Sequence, residues 1–147
     1  MKNEFARFFD FIVIDDSKLD LIIAQKMLKR VNEDLQVQAF EEAPAALNYI
    51  SNRAPLPASR RTVLLIDLRM PLMDGFQFAE SFSQLPENIR RQYVPCILTS
   101  SIAEADRNRA AAIPVLYAFL NKPPDAAVLE SLLLRYLEEH KLMTPDA

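Results

Sequence analysis

One stretch, Val63 to Phe76 (V-L-L-I-D-L-R-M-P-L-M-D-G-F), constrains this chain more than any other. Val63, Leu64, Leu65 and Ile66 are apolar at every position, and the run stops at Asp67. Continuous apolarity, without alternation, suits a strand buried on both faces, as in a parallel sheet. The carboxylate directly after it falls at the strand's carboxyl edge. Open α/β sheets bind ligands at that edge, near the switch in strand order. Met70-Pro71 and Asp74-Gly75 then make a turn-rich loop. Gly75 is the only glycine, so a site here is expected to need backbone freedom that a side chain would forbid. An isolated strand-end aspartate can equally be a loop cap, so the role of Asp67 depends on what the rest of the chain brings to it.

The same strand-then-polar pattern recurs along the chain. Phe11 to Ile14 reads as a strand ending in Asp15-Asp16, with Ser17 as helix N-cap. Leu19, Ile22, Ile23, Met27 and Arg30-Val31 fall near helical spacing, which predicts a first helix closed by Asn32-Glu33-Asp34. Leu35 to Phe40 alternates like a strand with one polar face. Glu41-Glu42 and Pro44 open a second helix that buries Ala46, Leu47 and Ile50. Residues Arg53 to Arg61 read as a loop, followed by the Asp67 strand and a third helix on Phe76, Phe78, Ala79, Phe82 and Leu85. The polar stretch Glu87 to Gln92 predicts a long connection. Val94 to Leu98 is a fourth strand, with Pro95 near its start, ending in Thr99-Ser100-Ser101. Ala103 to Ala112 is a helix by propensity. Tyr117 to Leu120 is a fifth strand leading to Asn121-Lys122-Pro123-Pro124, and Asp125 caps a last helix carrying Val128, Leu129, Leu132, Leu133, Tyr136 and Leu137. Thr144 to Ala147 reads as a frayed tail. Strands alternating with helices predict an α/β fold, a doubly wound five-stranded parallel sheet with helices on both faces.

Composition narrows the function. A chain of 147 residues predicts a single domain, residues 1–147, with a core over about 10–141, a short N-terminal extension and a C-terminal tail. Net charge is −3 without a basic block, which argues against direct nucleic-acid binding. No apolar run is long enough for membrane insertion, and the N-terminus lacks a secretory signal, so a cytoplasmic location is expected. The single cysteine, Cys96, lies in an apolar run and reads as a buried hydrophobe. The only histidine, His140, sits among Glu138, Glu139 and Lys141 and reads as a solvated surface residue, not a phosphotransfer group. The Arg60-Arg61 and Arg90-Arg91 pairs read as solvated loops.

In a parallel sheet the strand ends share one side. Asp15, Asp16 and Asp67 can therefore meet, with Thr99 and Lys122 beside them. Two unit charges 4 Å apart repel by about 4 kcal/mol at an effective dielectric of 20. A hard divalent cation removes that cost, and Mg²⁺ suits a site that keeps waters and awaits a phosphate. A carboxylate that accepts a phosphoryl group, balanced by metal and lysine, fits this set.

These residues resemble the receiver domain of two-component response regulators, of the stand-alone, single-domain type. The resemblance runs from about Phe11 to Leu137 and is carried by D-L-R-M-P-L-M-D-G at Asp67 to Gly75, by Asp15-Asp16 and by Lys122-Pro123. It implies the flavodoxin-like receiver fold with strand order 2-1-3-4-5. It implies Asp67 as phosphoacceptor, Asp16 as direct Mg²⁺ ligand, Asp15 as a ligand through water and the Arg69 backbone carbonyl as a further ligand. Lys122 would pair with the phosphate, before a cis peptide to Pro123. Thr99, or less favourably Ser100, would be the switch hydroxyl, and Phe119 the switch aromatic. Pro114-Val115 and Pro124 depart from the family's usual residues and concern the output face. Arg69 and Ser101 stand where family members tune phosphate loss.

The function implied is a phosphorylation-dependent signalling receiver, a phosphoprotein that carries out self-catalysed phosphotransfer and dephosphorylation at most and is not otherwise an enzyme. A sensor histidine kinase or a histidine phosphotransfer protein would donate the phosphoryl group. A downstream protein would bind the face of fourth helix, fifth strand and fifth helix, since no DNA-binding segment follows Lys141. The alternative is a binding module of the same fold that works without phosphate. A Mg²⁺-dependent phosphatase is disfavoured because Arg69 stands where a second acid would be wanted.

Overall fold

The computed structural model describes residues 4–142. In chain order the elements are α1 (Phe5–Phe8), β1 (Phe9–Ile14), α2 (Lys18–Val31), β2 (Val37–Phe40), α3 (Ala43–Asn52), β3 (Arg61–Ile66), α4 (Gly75–Ser83), α5 (Glu87–Arg90), β4 (Tyr93–Thr99), α6 (Glu104–Ala111), β5 (Ala118–Asn121) and α7 (Ala126–Glu139). All strand pairs are parallel, in the order β2-β1-β3-β4-β5. This is the doubly wound arrangement the strand–helix alternation predicts.

The sheet divides the core in two because successive side chains of a strand point to opposite faces. Phe11, Val13, Val63, Leu65, Val94, Cys96 and Leu98 pack with α1, α2 and α7. Ile12, Ile14, Leu64, Ile66 and Ile97 pack with α3 and α4 on the other side. There Phe76, Phe78 and Phe82 are fully buried, each stabilising by roughly 1.5–3 kcal/mol. Register positions the site. Ile14 pairs with Ile66, so Asp15 and Asp67 leave the sheet side by side, and the Asp67 N–H donates to the Ile14 carbonyl at 2.8 Å.

Several expectations need correction. The first strand begins at Phe9, preceded by a helical turn whose Phe5 and Phe8 are core residues. The first helix buries Leu21, Ala24, Met27, Leu28 and Val31, while Leu19, Ile22 and Ile23 are exposed. The polar segment after Pro86 forms the short helix α5. The second strand begins only at Val37 and the fourth extends from Tyr93 to Thr99. Pro95 lies inside this central strand, but its carbonyl faces β5 and accepts from Tyr117, ahead of the first β5 residue. Its missing donor therefore faces the side where no ladder has yet begun.

Arg60 and Arg61 are not simply solvated: Arg60 donates to the carbonyls of Ala6 and Arg7, and Arg61 to those of Ala58 and Arg60. Gly75 has no left-handed backbone; within this loop that conformation belongs to Leu72, at φ 70°. What Gly75 supplies is space, because a Cβ there would lie 2.7 Å from the Asp67 carbonyl oxygen. The tail from Thr144 to Ala147 lies outside the described residues.

Candidate functional site

Three strand ends and two helix starts build the pocket. Asp15 and Asp67 are buried, Asp16 is exposed, and oxygens of the three carboxylates lie within 4.8 Å of one another. Ser17 orients Asp15. Its N–H donates to Asp15 Oδ1 at 2.9 Å, while its Oγ accepts the Asp20 N–H at 3.2 Å and caps α2. Asp74 caps α4 and forms a reciprocal capping box with Gln77, which closes the far end of the loop after Asp67.

Lys122 reaches into this pocket from the end of β5. Its backbone N–H is anchored on the Thr99 carbonyl at 2.8 Å, and the Lys122–Pro123 peptide is cis. The ammonium donates to Asp15 Oδ2 at 2.5 Å, Asp20 Oδ2 at 2.9 Å and Asp67 Oδ1 at 3.1 Å. Burial and the neighbouring Asp15 charge push the Asp67 carboxyl above its ordinary value, against the opposing pull of Lys122. Burial also works against the Lys122 charge, but Asp15, Asp20 and Asp67 outweigh it and hold the ammonium above the usual lysine range. The site thus combines a carboxylate short of compensation with a cation fixed beside it. Three facing carboxylates are a hard-oxygen donor set that fits Mg²⁺.

The other predicted residues lie around this centre. Thr99 is buried at the end of β4, and its Oγ1 accepts the Ser101 N–H at 3.1 Å. Ser100 is exposed and lines a cleft of about 270 Å³ with Asp20, Ile23, Leu98, Lys122, Pro123 and Pro124. The Arg69 side chain points to Asp106, which it holds through two bonds of 2.9 and 2.8 Å. Phe119 is half-buried on β5, with the Arg107 guanidinium 4.9 Å from its ring centre. His140 stacks on Tyr136 at 3.9 Å and lines a cleft with Arg61, Tyr93 and Val94, at the amino edge of the sheet and away from the acids.

Asp20 is the residue that sequence reasoning missed. The signal was present in D-D-S-K-L-D: an acid three residues past an N-cap lies in the first helical turn, over the strand end the cap follows.

Comparisons with known proteins identify the family and the fold. The model of the response regulator receiver domain matches residues 11–134. The crystal structure of a response regulator receiver protein from Dyadobacter fermentans is 32% identical, with a TM-score of 0.79 over 88% of this chain and 98% of that one. The cyclic di-GMP phosphodiesterase response regulator RpfG of Xanthomonas campestris is 31% identical over 118 residues, which cover 78% of this chain and 28% of RpfG. The chain therefore spans only about a quarter of that relative. The receiver domain of the sensor histidine kinase PA1611 from Pseudomonas aeruginosa, solved with magnesium in its active-site cleft, matches with a TM-score of 0.69 over 88% of this chain and 97% of that one. At 21% identity that likeness is one of fold.

Proposed function

Because the chain belongs to the response regulator receiver family, we propose that it accepts a phosphoryl group on Asp67 and uses it to switch a protein-binding face. The donor is a phosphohistidine on a sensor histidine kinase or a histidine phosphotransfer protein, and the setting is the cytoplasm. The observation that carries this reading is the Lys122 ammonium 3.1 Å from the Asp67 carboxylate, with Asp15 and Asp16 close by.

An Asp67 oxygen attacks phosphorus in line. The O–P bond forms as the P–N bond breaks, and the imidazole nitrogen leaves with the electron pair; a proton held on the other ring nitrogen, or one taken from water, leaves the ring as neutral imidazole. Asp15, Asp16, Asp67 and the Arg69 carbonyl would hold Mg²⁺, which when bound supplies positive charge to the transferring group. Lys122 redirects a proton to a phosphoryl oxygen. Thr99 already accepts from Ser101, so its own hydroxyl proton is free to donate.

Exposed Leu19, Ile22 and Ile23 beside the Lys122 cleft suit docking of the donor protein. Drawing Thr99 inward shifts the loop before α6, and Phe119 follows. The face of α6, β5 and α7 changes with it, around a cleft of about 620 Å³ lined by Tyr117, Phe119, Leu120, Val128 and Arg135. A full reversal from 1:99 to 99:1 takes about 5.5 kcal/mol, so a partial shift is the expected response.

Incubation with a small phosphodonor and Mg²⁺ should place one phosphoryl group on the chain. Labelling that persists in Asp67→Asn would overturn the assignment.

A further inference from the structure

We infer that Asp20 is a positioning residue that restrains Lys122 in the resting protein and competes with the incoming phosphoryl group for its ammonium. This rests on the phosphoacceptor reading of Asp67. A lysine ammonium has three protons to donate. Here all three point at carboxylates, on Asp15, Asp20 and Asp67. A phosphoryl oxygen can therefore gain Lys122 only if one carboxylate gives it up.

The three carboxylates are not equally able to do so. The Asp15 side chain is 5% exposed and also accepts the Ser17 N–H, so it is fixed in place. Asp67 is 10% exposed and is the acceptor itself. Asp20 is 35% exposed, in the first turn of α2, where water can replace the ammonium at least cost. Asp20 is thus the partner that releases Lys122. Until it does, its charge opposes both the redirection of the lysine and the approach of an anionic donor. Asp20 is a brake on phosphorylation set one helical turn from the metal ligands.

The test uses phosphoramidate and Mg²⁺ on the full chain. The donor's P–N bond breaks, the Asp67 O–P bond forms, and nitrogen leaves as ammonia. Asp20→Asn should label faster than the wild type by about two- to fivefold at low ionic strength, the range a part-exposed ion pair commands. The advantage should shrink as salt screens the charge, which a merely structural role would not produce. Asp20→Ser should behave like Asp20→Asn, and Asp20→Glu should restore the slower rate. Neutral variants that label no faster than the wild type, or whose advantage ignores salt, overturn the inference. A wild-type chain that takes no label overturns the phosphoacceptor reading, and this inference with it.

Discussion

Gly75 stands directly against the backbone of Asp67. A Cβ at Gly75 would lie 2.7 Å from the Asp67 carbonyl oxygen, 3.1 Å from Leu68 Cα and 3.2 Å from Ile97 Cδ1. Two of these atoms are backbone and cannot swing away. The contact is tightened by the Gly75 N–H, which donates to the Leu68 carbonyl at 2.9 Å. Gly75→Ala is therefore expected to lose about 1–3 kcal/mol, the usual cost of overpacking, despite alanine's better helix propensity. In a domain of this size each kcal/mol moves the melting midpoint by about 2–4 °C. An unchanged midpoint would show that the loop after Asp67 can yield.

Asp16 is the exposed member of the acidic trio. Mg²⁺ bound to the folded pocket should raise the melting midpoint, and at a hundredfold excess over its dissociation constant the gain is about 2.7 kcal/mol. Chelation should reverse it. Asp16→Asn should leave the metal-free midpoint nearly unchanged and blunt the response to Mg²⁺. Equal responses in wild type and variant would remove Asp16 from the ligand set.

A short chain of polar contacts ties the acceptor loop to the loop before α6. Arg69 grips Asp106, Asp106 accepts the Ser101 hydroxyl at 2.7 Å, and the Asn121 side-chain amide donates to the Ser101 carbonyl at 2.9 Å. The Ser101 hydroxyl and Arg69 hold the Asp106 carboxyl below the usual aspartate range. In Arg69→Ala, amide exchange over residues 100–103 should quicken several-fold, with β1 and β3 unaffected. Exchange confined to its wild-type rate would mean that Asn121 and Thr99 alone hold the loop.

Cys96 is fully buried in β4, and burial pushes its thiol up to about 12 from an ordinary 9.0. The native thiol should resist alkylation at pH 8 and react only on unfolding. Above pH 9 the unfolded chain loses this proton while the folded chain keeps it. The native state then binds more protons, so this group lowers stability as pH rises from about 9 towards 12. Cys96→Ala should flatten that part of the stability profile. A slope identical in the two proteins would assign it to other groups.

Asp15, Asp67 and Lys122 were legible from strand ends alone, because a parallel sheet delivers every carboxyl end to one edge. The apolar runs at Ile12–Ile14 and Val63–Ile66 needed no knowledge of their neighbours, since strands buried on both faces must be apolar throughout. Other features were decided only by what packs against what. Helical spacing in α2 fits two overlapping apolar stripes, and contact with α7 and β1 chose Leu21, Ala24 and Leu28 over Leu19, Ile22 and Ile23. The need for glycine at position 75 was visible, but its cause is the distance to another segment's carbonyl, not a local dihedral. Asp20 enters the pocket through a lysine 102 positions away. Periodicity and strand-end chemistry act between near neighbours and so can be read along the chain. Which carboxylates share one ammonium depends on distances across the folded molecule, and only tertiary structure sets those.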